Sequence, residues 1–184
     1  MKEVHLEKNE KLEDVDENEK QFRLYGELTS NDIELLKRLK ATHLDFGNLS
    51  NPSFPYTVFS YFKSLTLIIL PKNLKCLEND CFYQCRNLEE VDAFNCTDLN
   101  SISKECFACC YSLKSVKLSD TITIIEDSAF AYCKNLETIT LSKSVGDCLS
   151  LKTIFVSKSV TSLVVMHLRI AVLWLLLNSK MELI

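Results

Sequence analysis

The stretch ITIIEDSAFAYCKNLETITL, residues 122–141, decides the fold because its pattern occurs twice upstream without a gap. The same order of apolar and small residues is found in LNSISKECFACCYSLKSVKL (99–118) and in LKCLENDCFYQCRNLEEVDA (74–93). Self-similarity with a period of about 20 to 50 residues is the signature of repeat architectures. We therefore expect a solenoid in which equivalent residues of successive coils lie above one another.

Each copy carries a phenylalanine, a cysteine and a leucine at fixed spacing. Stacked coils would place these side chains in three files inside the core. The predicted core ladder consists of Phe82, Phe107 and Phe130, Cys85, Cys110 and Cys133, and Leu88, Leu113 and Leu136. Leu65 continues the leucine file upstream, and Leu39 is a weaker first copy.

The nine cysteines of the chain fit the same register. Cys81 and Cys106 share the column of Ala129, which favours buried, reduced thiols. A zinc site at Cys106, Cys109 and Cys110, or at Cys81 and Cys85, is the alternative, but structural zinc sites prefer two well-spaced pairs of ligands. An odd number of cysteines argues against a disulfide framework. We expect no cofactor and no metal.

The clearest unit, SAFAYCKNLETITL at residues 128–141, resembles the leucine-rich repeats of the BspA-like class, whose unit of about 23 residues carries an AF..C..L..I.L signature. The resemblance covers residues 60–160 well and 36–59 poorly. It implies an α/β repeat fold, a leucine-rich-repeat solenoid with one parallel β-sheet on the concave face. Short helical turns or short strands would form the convex side, and the C-terminus would be irregular. It also implies a non-catalytic module that binds a protein partner, of the surface-antigen or adhesin type.

Composition excludes several functions. The net charge is −4 and basic residues form no stripe, which argues against nucleic acid as a partner. The three glycines are not clustered, so no phosphate-binding loop is available. The histidines are His5, His43 and His167, and the sequence assigns no nucleophile or acid beside any of them. We therefore predict that the chain is not an enzyme.

Period-two alternation directs two side chains of each predicted sheet strand away from the core. The candidate partner-binding face consists of Leu67, Ile69, Glu90, Asp92, Ser115, Lys117, Thr138 and Thr140. The same alternation adds Ala41 with His43 before this set and Thr153 with Phe155 after it. The first two members of the face are apolar, which is typical of a contact site. They are alternatively covered by the amino-terminal segment.

Four segments are predicted along the chain. Residues 1–20 are rich in charge and poor in apolar residues, which favours a mobile segment. Residues 21–59 form a divergent N-terminal cap with one helix, capped by Ser30 or Asn31. The repeats occupy residues 60–160.

The last predicted segment, residues 161–184, departs from the pattern. Cys148 follows Val145 too closely, which predicts the loss of eight residues of one repeat, with Leu151 as the next anchoring leucine. Val160 and Leu163 then resume the pattern, in the columns of the two apolar residues that begin each copy and are expected on the convex side. From about residue 164 we interpret the apolar run as a further, degenerate repeat whose codons are translated in a shifted reading frame.

A membrane helix over residues 160–177 is the competing interpretation of this apolar run. The sequence argues against a membrane as a partner, because Arg169 lies near the middle and the uninterrupted stretch is shorter than the roughly 20 residues that a span needs. The lack of a secretory signal predicts a cytoplasmic protein, whereas the family resemblance implies a cell-surface protein. We expect a monomer. An adhesin, an intracellular scaffold and a degenerate product without selected function therefore remain as alternatives.

Overall fold

The computed structural model describes residues 1–6, 10–141 and 162–165. In these residues the chain forms β-strands, turns and very little helix. The elements in chain order are β1 (Lys2–His5), a 3₁₀ turn (Leu12–Asp14), β2 (Gln21–Gly26), α1 (Ser30–Arg38), β3 (His43–Leu49), β4 (Ser53–Phe54), β5 (Leu67–Ile69), β6 (Cys76–Leu77), β7 (Glu90–Ala93), β8 (Ser101–Ile102), β9 (Ser115–Leu118), β10 (Ile124–Ile125), β11 (Thr138–Leu141) and β12 (Ser162–Val165).

The main sheet is parallel throughout, in the order β1-β2-β3-β5-β7-β9-β11-β12. Successive coils keep one register, for example Val91 opposite Val116 and Ile139 opposite Val116 on its other side. The two-residue strands pair separately, β4 with β6 and β8 with β10. The leucine-rich-repeat solenoid predicted from the sequence, with one parallel sheet and short strands outside it, is confirmed.

The phenylalanines of successive coils stack face to face in the core. The ring centres of Phe82 and Phe107 are 5.1 Å apart, and those of Phe107 and Phe130 are 5.5 Å apart, with nearly parallel planes. Phe59 extends the stack by one coil, 4.8 Å from Phe82. Sequence alignment missed Phe59 because its coil lacks the cysteine column, where Phe62 lies instead.

The turns outside the sheet contain two left-handed residues per coil, none of them glycine. These are Thr57, Asp80, Glu105 and Ser128 in one column, and Tyr61, Gln84, Cys109 and Tyr132 in the other. A left-handed residue ends any run of helical turns. The turns instead bond to the next coil, as where the Phe82 N–H donates to the Cys106 carbonyl at 2.8 Å.

The helix α1 begins one or two residues earlier than predicted. Its cap is Thr29, not Ser30 or Asn31, because Asp32 completes a capping box with Thr29. The Asp32 N–H donates to Thr29 Oγ1 at 3.2 Å, and the Thr29 N–H donates to Asp32 Oδ2 at 2.9 Å. Ile33 and Leu36 are the buried residues of this helix.

The charged segment 1–20 adds a strand to the sheet, since β1 pairs in parallel with β2. Val4 and Leu12 are buried in the common core. Composition predicted a mobile segment, but two well-placed apolar side chains anchor it to the end of the solenoid. The strand β1 of this segment forms the edge of the sheet, next to β2, and it extends the concave face.

The register of the first coil differs from the prediction by two residues. His43 pairs with Leu67, so Ala41 and not Leu39 corresponds to Leu65 of the next coil. Ala41 is fully buried. Leu39 is the C-cap of α1, so the chain reaches the sheet only after it.

The register after β11 also differs from the prediction. Ile139 pairs with Leu163, which places Leu163 in the sheet and not on the convex side. Within the described residues, β12 is the neighbour of β11. Thr153 and Phe155, which were predicted as the next outward pair, lie outside the described residues.

The remaining C-terminal predictions concern residues 142–161 and 166–184, which lie outside the described residues. The hypothesis of a shifted reading frame aligned Leu163 with a convex-side residue of the earlier repeats. The pairing of Leu163 with Ile139 removes that alignment. The membrane-helix alternative over 160–177 lies outside the described residues except for β12. Within the described part of the chain, every helix is too short or too polar to cross a membrane.

Candidate functional site

The predicted partner-binding residues lie together on the open face of the sheet. Between them on each strand is a fully buried residue: Ile68, Val91, Val116 and Ile139. The pairing register aligns one outward row of Leu67, Glu90, Ser115 and Thr138, and a second row of Ile69, Asp92, Lys117 and Thr140. All eight side chains are partly or fully exposed. The alternation of buried and exposed residues thus gives one continuous surface over four coils.

An ion-pair cluster lies at the centre of this face. Lys117 Nζ bonds to Glu90 Oε1 and lies 3.8 Å from Asp92 Oδ2. The hydrogen bond to Glu90 is the main cause that raises the pKa of Lys117 above its ordinary value. The lysine therefore offsets part of the acidic charge that the sequence places on the preceding strand.

The face continues onto the N-terminal strands, which sequence analysis left out. Asp45 pairs with Ile69, Arg23 with Asp45, and Glu3 with Arg23, so all three extend the second row. Arg23 Nε lies 2.7 Å from Asp45 Oδ2, and Arg23 Nη1 lies 3.3 Å from Glu3 Oε1. The alternation in QFRLYG and HLDF carries this signal, but the two-residue register error placed His43 in the second row instead of Asp45.

A bulge shapes the strand beside this row. Between Arg23 and Tyr25 of β2, the partner strand β3 has one extra residue. The Gly47 N–H donates to Asp45 Oδ1 at 3.0 Å, which fixes this carboxylate above the bulge. Bulges of this kind redirect side chains at functional surfaces.

A groove of about 730 Å³ lies where the sheet strands end. Its lining includes Asp45, Ile69, Asp92 and Asp98, so acidic and apolar side chains meet there. Asn73 also lines it; its Oδ1 is buried and accepts no hydrogen bond from the described residues. The groove joins the apolar end of the open face to its acidic end.

The described histidines lie on the first strands of the sheet, His5 on β1 and His43 on β3. His5 stacks on Tyr25 with ring centres 4.2 Å apart, and His43 Nδ1 lies 2.9 Å from Thr42 Oγ1. His167 lies outside the described residues. In the described part of the chain, no group of three or more histidine, cysteine or acidic side chains is arranged to hold a metal ion.

The cysteine column is occupied by thiols that donate hydrogen bonds to the backbone. The Sγ atoms of Cys85 and Cys133 donate to the carbonyls of Phe59 and Phe107, each at 3.1 Å. Burial raises the pKa of Cys133 to about 12, so this thiol is neutral at physiological pH. The same desolvation raises the pKa values of Cys81 and Cys106 well above the ordinary value.

A family model described as BspA type leucine rich repeat region matches residues 52–165 in 6 copies, which is more than half of the chain. The chain belongs to the BspA-type leucine-rich repeat family. The matched range contains β5, β7, β9, β11 and β12, and hence all eight residues of the predicted face. It begins within the segment that sequence analysis assigned to the N-terminal cap.

Among solved structures, a leucine rich cell surface protein from Faecalibacterium prausnitzii A2-165 is similar to this BspA-type chain, with 26% sequence identity and a TM-score of 0.44. The match covers 60% of this chain and 27% of that protein, so this chain spans only about a quarter of that protein's length. No curated protein matches the chain.

Proposed function

We propose that this BspA-type chain is a non-catalytic module that binds a protein partner on the open face of its sheet. The proposal includes the surface-antigen or adhesin role that the family resemblance implies. The contact would be centred on Leu67 and Ile69 and would extend to the charged cluster of Glu90, Asp92 and Lys117.

The observation that carries the proposal is the position of the N-terminal strands. If β1 and β2 crossed the face, they would cover Leu67 and Ile69. They lie instead at the edge of the sheet, beside β3. The two apolar side chains are left half-exposed between Asp45 on one strand and Asp92 on another. An apolar patch surrounded by charge is typical of a binding surface.

Photocrosslinking tests the proposal. A photoreactive amino acid is placed at Ile69 on the open face, and at Ile124 on the opposite side as the matched control, since Ile124 is 39% exposed. Both forms of the full chain are expressed in the source cells and irradiated. We expect a discrete crosslinked protein from position 69 and none from position 124.

A variant that introduces a negative charge provides the second arm of the experiment. Leu67→Glu should abolish the crosslink from position 69, while Ile124→Glu should leave it unchanged. Ile124→Glu should unfold at the wild-type temperature. Leu67→Glu should unfold slightly below it, because it places a second carboxylate opposite Glu90, and both variants should be folded at the temperature of the experiment. Equal labelling from both positions, or labelling that Leu67→Glu does not alter, would contradict a binding role for this face.

The same cells separate an adhesin from an intracellular scaffold. An adhesin predicts that an antibody to residues 1–20 labels intact cells, whereas a scaffold predicts labelling only after permeabilisation. A degenerate product without selected function predicts low abundance and rapid proteolysis. This third alternative would leave no position-specific crosslink.

A further inference from the structure

A second surface lies at the N-terminal ends of the sheet strands, where each coil enters its strand. The groove lies at the other ends of the same strands. One column of this second surface contains Lys63, Arg86, Tyr111 and Lys134, and we call it the basic ridge. Backbone-directed bonds show that its members are neighbours in successive coils. Asn87 Nδ2 donates to the Lys63 carbonyl at 2.7 Å, and the Ser112 N–H donates to the Arg86 carbonyl at 3.2 Å.

Tyr111 holds two cations of the ridge together. The guanidinium of Arg86 and the ammonium of Lys134 each lie 5.6 Å from the centre of the Tyr111 ring. This distance is within the range of a cation–π interaction. Arg86 also donates to Gln84 Oε1 at 2.7 Å, which fixes the guanidinium further. The two positive charges are therefore positioned without any carboxylate.

The cations of the ridge are exposed and make no ion pair with any described residue. On the adjoining outward columns of the sheet, cations are paired with acids, as Lys114 is with Glu89 at 2.6 Å and Lys117 with Glu90. The pair of Lys114 and Glu89 flanks the ridge on the strand side, together with the exposed carboxylate of Glu137 in the next coil. Lys63, Arg86 and Lys134 thus form an uncompensated positive patch on a chain whose net charge is −4.

Exposed tyrosines border the ridge on its convex side. Tyr61 and Tyr132 are 55% and 67% exposed, and they lie two residues before Lys63 and Lys134. Tyr61 also packs edge-on against Tyr83, with ring centres 5.8 Å apart. Tyrosine and arginine are the residue types most enriched at the energetic centres of protein interfaces.

We propose that the basic ridge binds an acidic segment of a partner protein. Neighbouring coils are about 4.8 Å apart, so Arg86 and Lys134 lie about 10 Å apart along the solenoid, the length of three residues of an extended chain. Carboxylates on such a segment can bond to the Arg86 guanidinium in a bidentate manner. A membrane surface fits less well, because anionic lipids are recognised by clusters of about four to eight cations.

Fluorescence anisotropy at low ionic strength tests the ridge with a defined probe. The probe is a fluorescein-labelled decapeptide of alternating glutamate and serine, and its control has glutamine in place of glutamate. The full chain should bind the glutamate peptide in preference to the glutamine peptide. The triple variant K63Q/R86Q/K134Q should weaken this binding about tenfold or more, since each lost charge pair contributes to affinity.

The matched control is the triple variant K40Q/K72Q/K75Q, which removes the same charge from exposed lysines outside the ridge. It should bind the glutamate peptide within about twofold of the wild type. Leu67→Glu should also leave this binding unchanged, so failure here is distinct from failure of the open-face proposal. Both triple variants should keep the wild-type melting temperature, because every substituted side chain is exposed.

Several results would overturn the ridge proposal. These are no preference for the glutamate peptide, an equal loss in both triple variants, or tighter ridge-dependent binding of heparin or of phosphatidylserine vesicles than of the peptide. A dimer in sedimentation velocity that the ridge variant dissolves would assign the ridge to a second copy of this chain instead.

Discussion

The thiol of Cys96 donates a hydrogen bond to the carbonyl of Pro71, 3.1 Å away in the preceding coil. In the next coil, Ser119 Oγ donates to the Cys96 carbonyl at 2.9 Å. A thiol and a hydroxyl thus perform one task in successive copies of the same column. Four described cysteines are therefore small buried donors to backbone carbonyls of the preceding coil: Cys85, Cys96, Cys110 and Cys133.

This relationship predicts how Cys96 tolerates substitution. Cys96→Ser keeps a donor and should change the free energy of unfolding by less than about 1 kcal/mol. Cys96→Ala removes the thiol donor, while the Leu74 N–H still donates to the Pro71 carbonyl at 3.1 Å, so the cost should be that of one lost hydrogen bond, about 0.5 to 1.5 kcal/mol. Urea unfolding at pH 7 measures both. An alanine variant as stable as the serine variant would show that the bond to Pro71 contributes nothing.

The buried thiols also predict a loss of stability at alkaline pH. Burial raises the pKa of Cys96 to about 12 in the folded chain, whereas an unfolded thiol has a pKa of about 8.5. Between these values the unfolded state releases a proton that the folded state keeps. The contribution of Cys96 is thus complete below pH about 8.5 and should fall by about 1.4 kcal/mol per pH unit above it.

Unfolding measured from pH 8 to pH 11 tests this expectation. Lysines and tyrosines also titrate in this range, so the informative quantity is the difference between the wild type and Cys96→Ser. The serine variant should lose stability less steeply than the wild type as the pH rises. Two parallel curves would mean that the Cys96 thiol ionises equally in both states.

The phenylalanine stack predicts a large effect at its centre. Phe107→Ala removes a fully buried ring that contacts Phe82 on one side and Phe130 on the other. The cost should be about 3 to 5 kcal/mol, a large share of the stability of a chain of this size. Phe94→Ala is the control, because Phe94 is 48% exposed. It should change stability by about 0.5 kcal/mol or less in thermal unfolding. Similar losses at both positions would contradict a stacked core.

The interior of the array was readable from the sequence because each coil repeats its neighbour's constraints. Phe82, Phe107 and Phe130 must have the same spacing from their strands if their rings are to stack. The same periodicity gave the outward rows of the open face, from Leu67 to Thr140. A single coil would carry no such signal, since alternation over three or four residues is short.

The ends of the array were not readable in the same way. No identical coil precedes Ala41, so nothing in the sequence distinguished it from Leu39 as the anchoring residue. After β11 the apolar pattern allowed two registers for Leu163, and only pairing with Ile139 resolves them. The basic ridge escaped notice because its members occupy a column that the core leaves unconstrained.

Asn51 illustrates such an end effect and gives a fourth prediction. It lies in the column of Leu74, where an apolar residue is expected, since Ser53 pairs with Cys76. Its Oδ1 accepts from the Leu28 N–H at 2.8 Å and its Nδ2 donates to the Leu28 carbonyl at 2.9 Å. The amide thus joins the N-terminal cap to the first repeat in place of a missing strand.

Asn51→Leu matches the repeat pattern better but should destabilise the chain. It leaves two buried backbone groups of Leu28 without partners, at about 1 to 3 kcal/mol for each group that stays dry. Asn51→Asp keeps the acceptor but places a carboxylate oxygen against the Leu28 carbonyl, so it should also destabilise the chain. Urea unfolding ranks the three chains. A more stable leucine variant would mean that burial of an apolar side chain outweighs the two hydrogen bonds.

The left-handed turns give the last prediction, which is a gain in stability. Ser128 has φ of 56°, and its side chain makes one weak bond, from Oγ to Asp127 Oδ1 at 3.3 Å. A left-handed conformation costs an ordinary residue about 1 to 2 kcal/mol, and glycine avoids this cost. Glycine also gives the unfolded chain more freedom, which offsets about 0.4 to 1 kcal/mol of the gain. Ser128→Gly should therefore raise the free energy of unfolding by up to about 1 kcal/mol.

Ser53→Gly, at an exposed strand position, is the control and should lower the free energy of unfolding. The two substitutions are therefore expected to shift the melting temperature in opposite directions. Equal losses at both positions would show that the turn imposes no strain on Ser128.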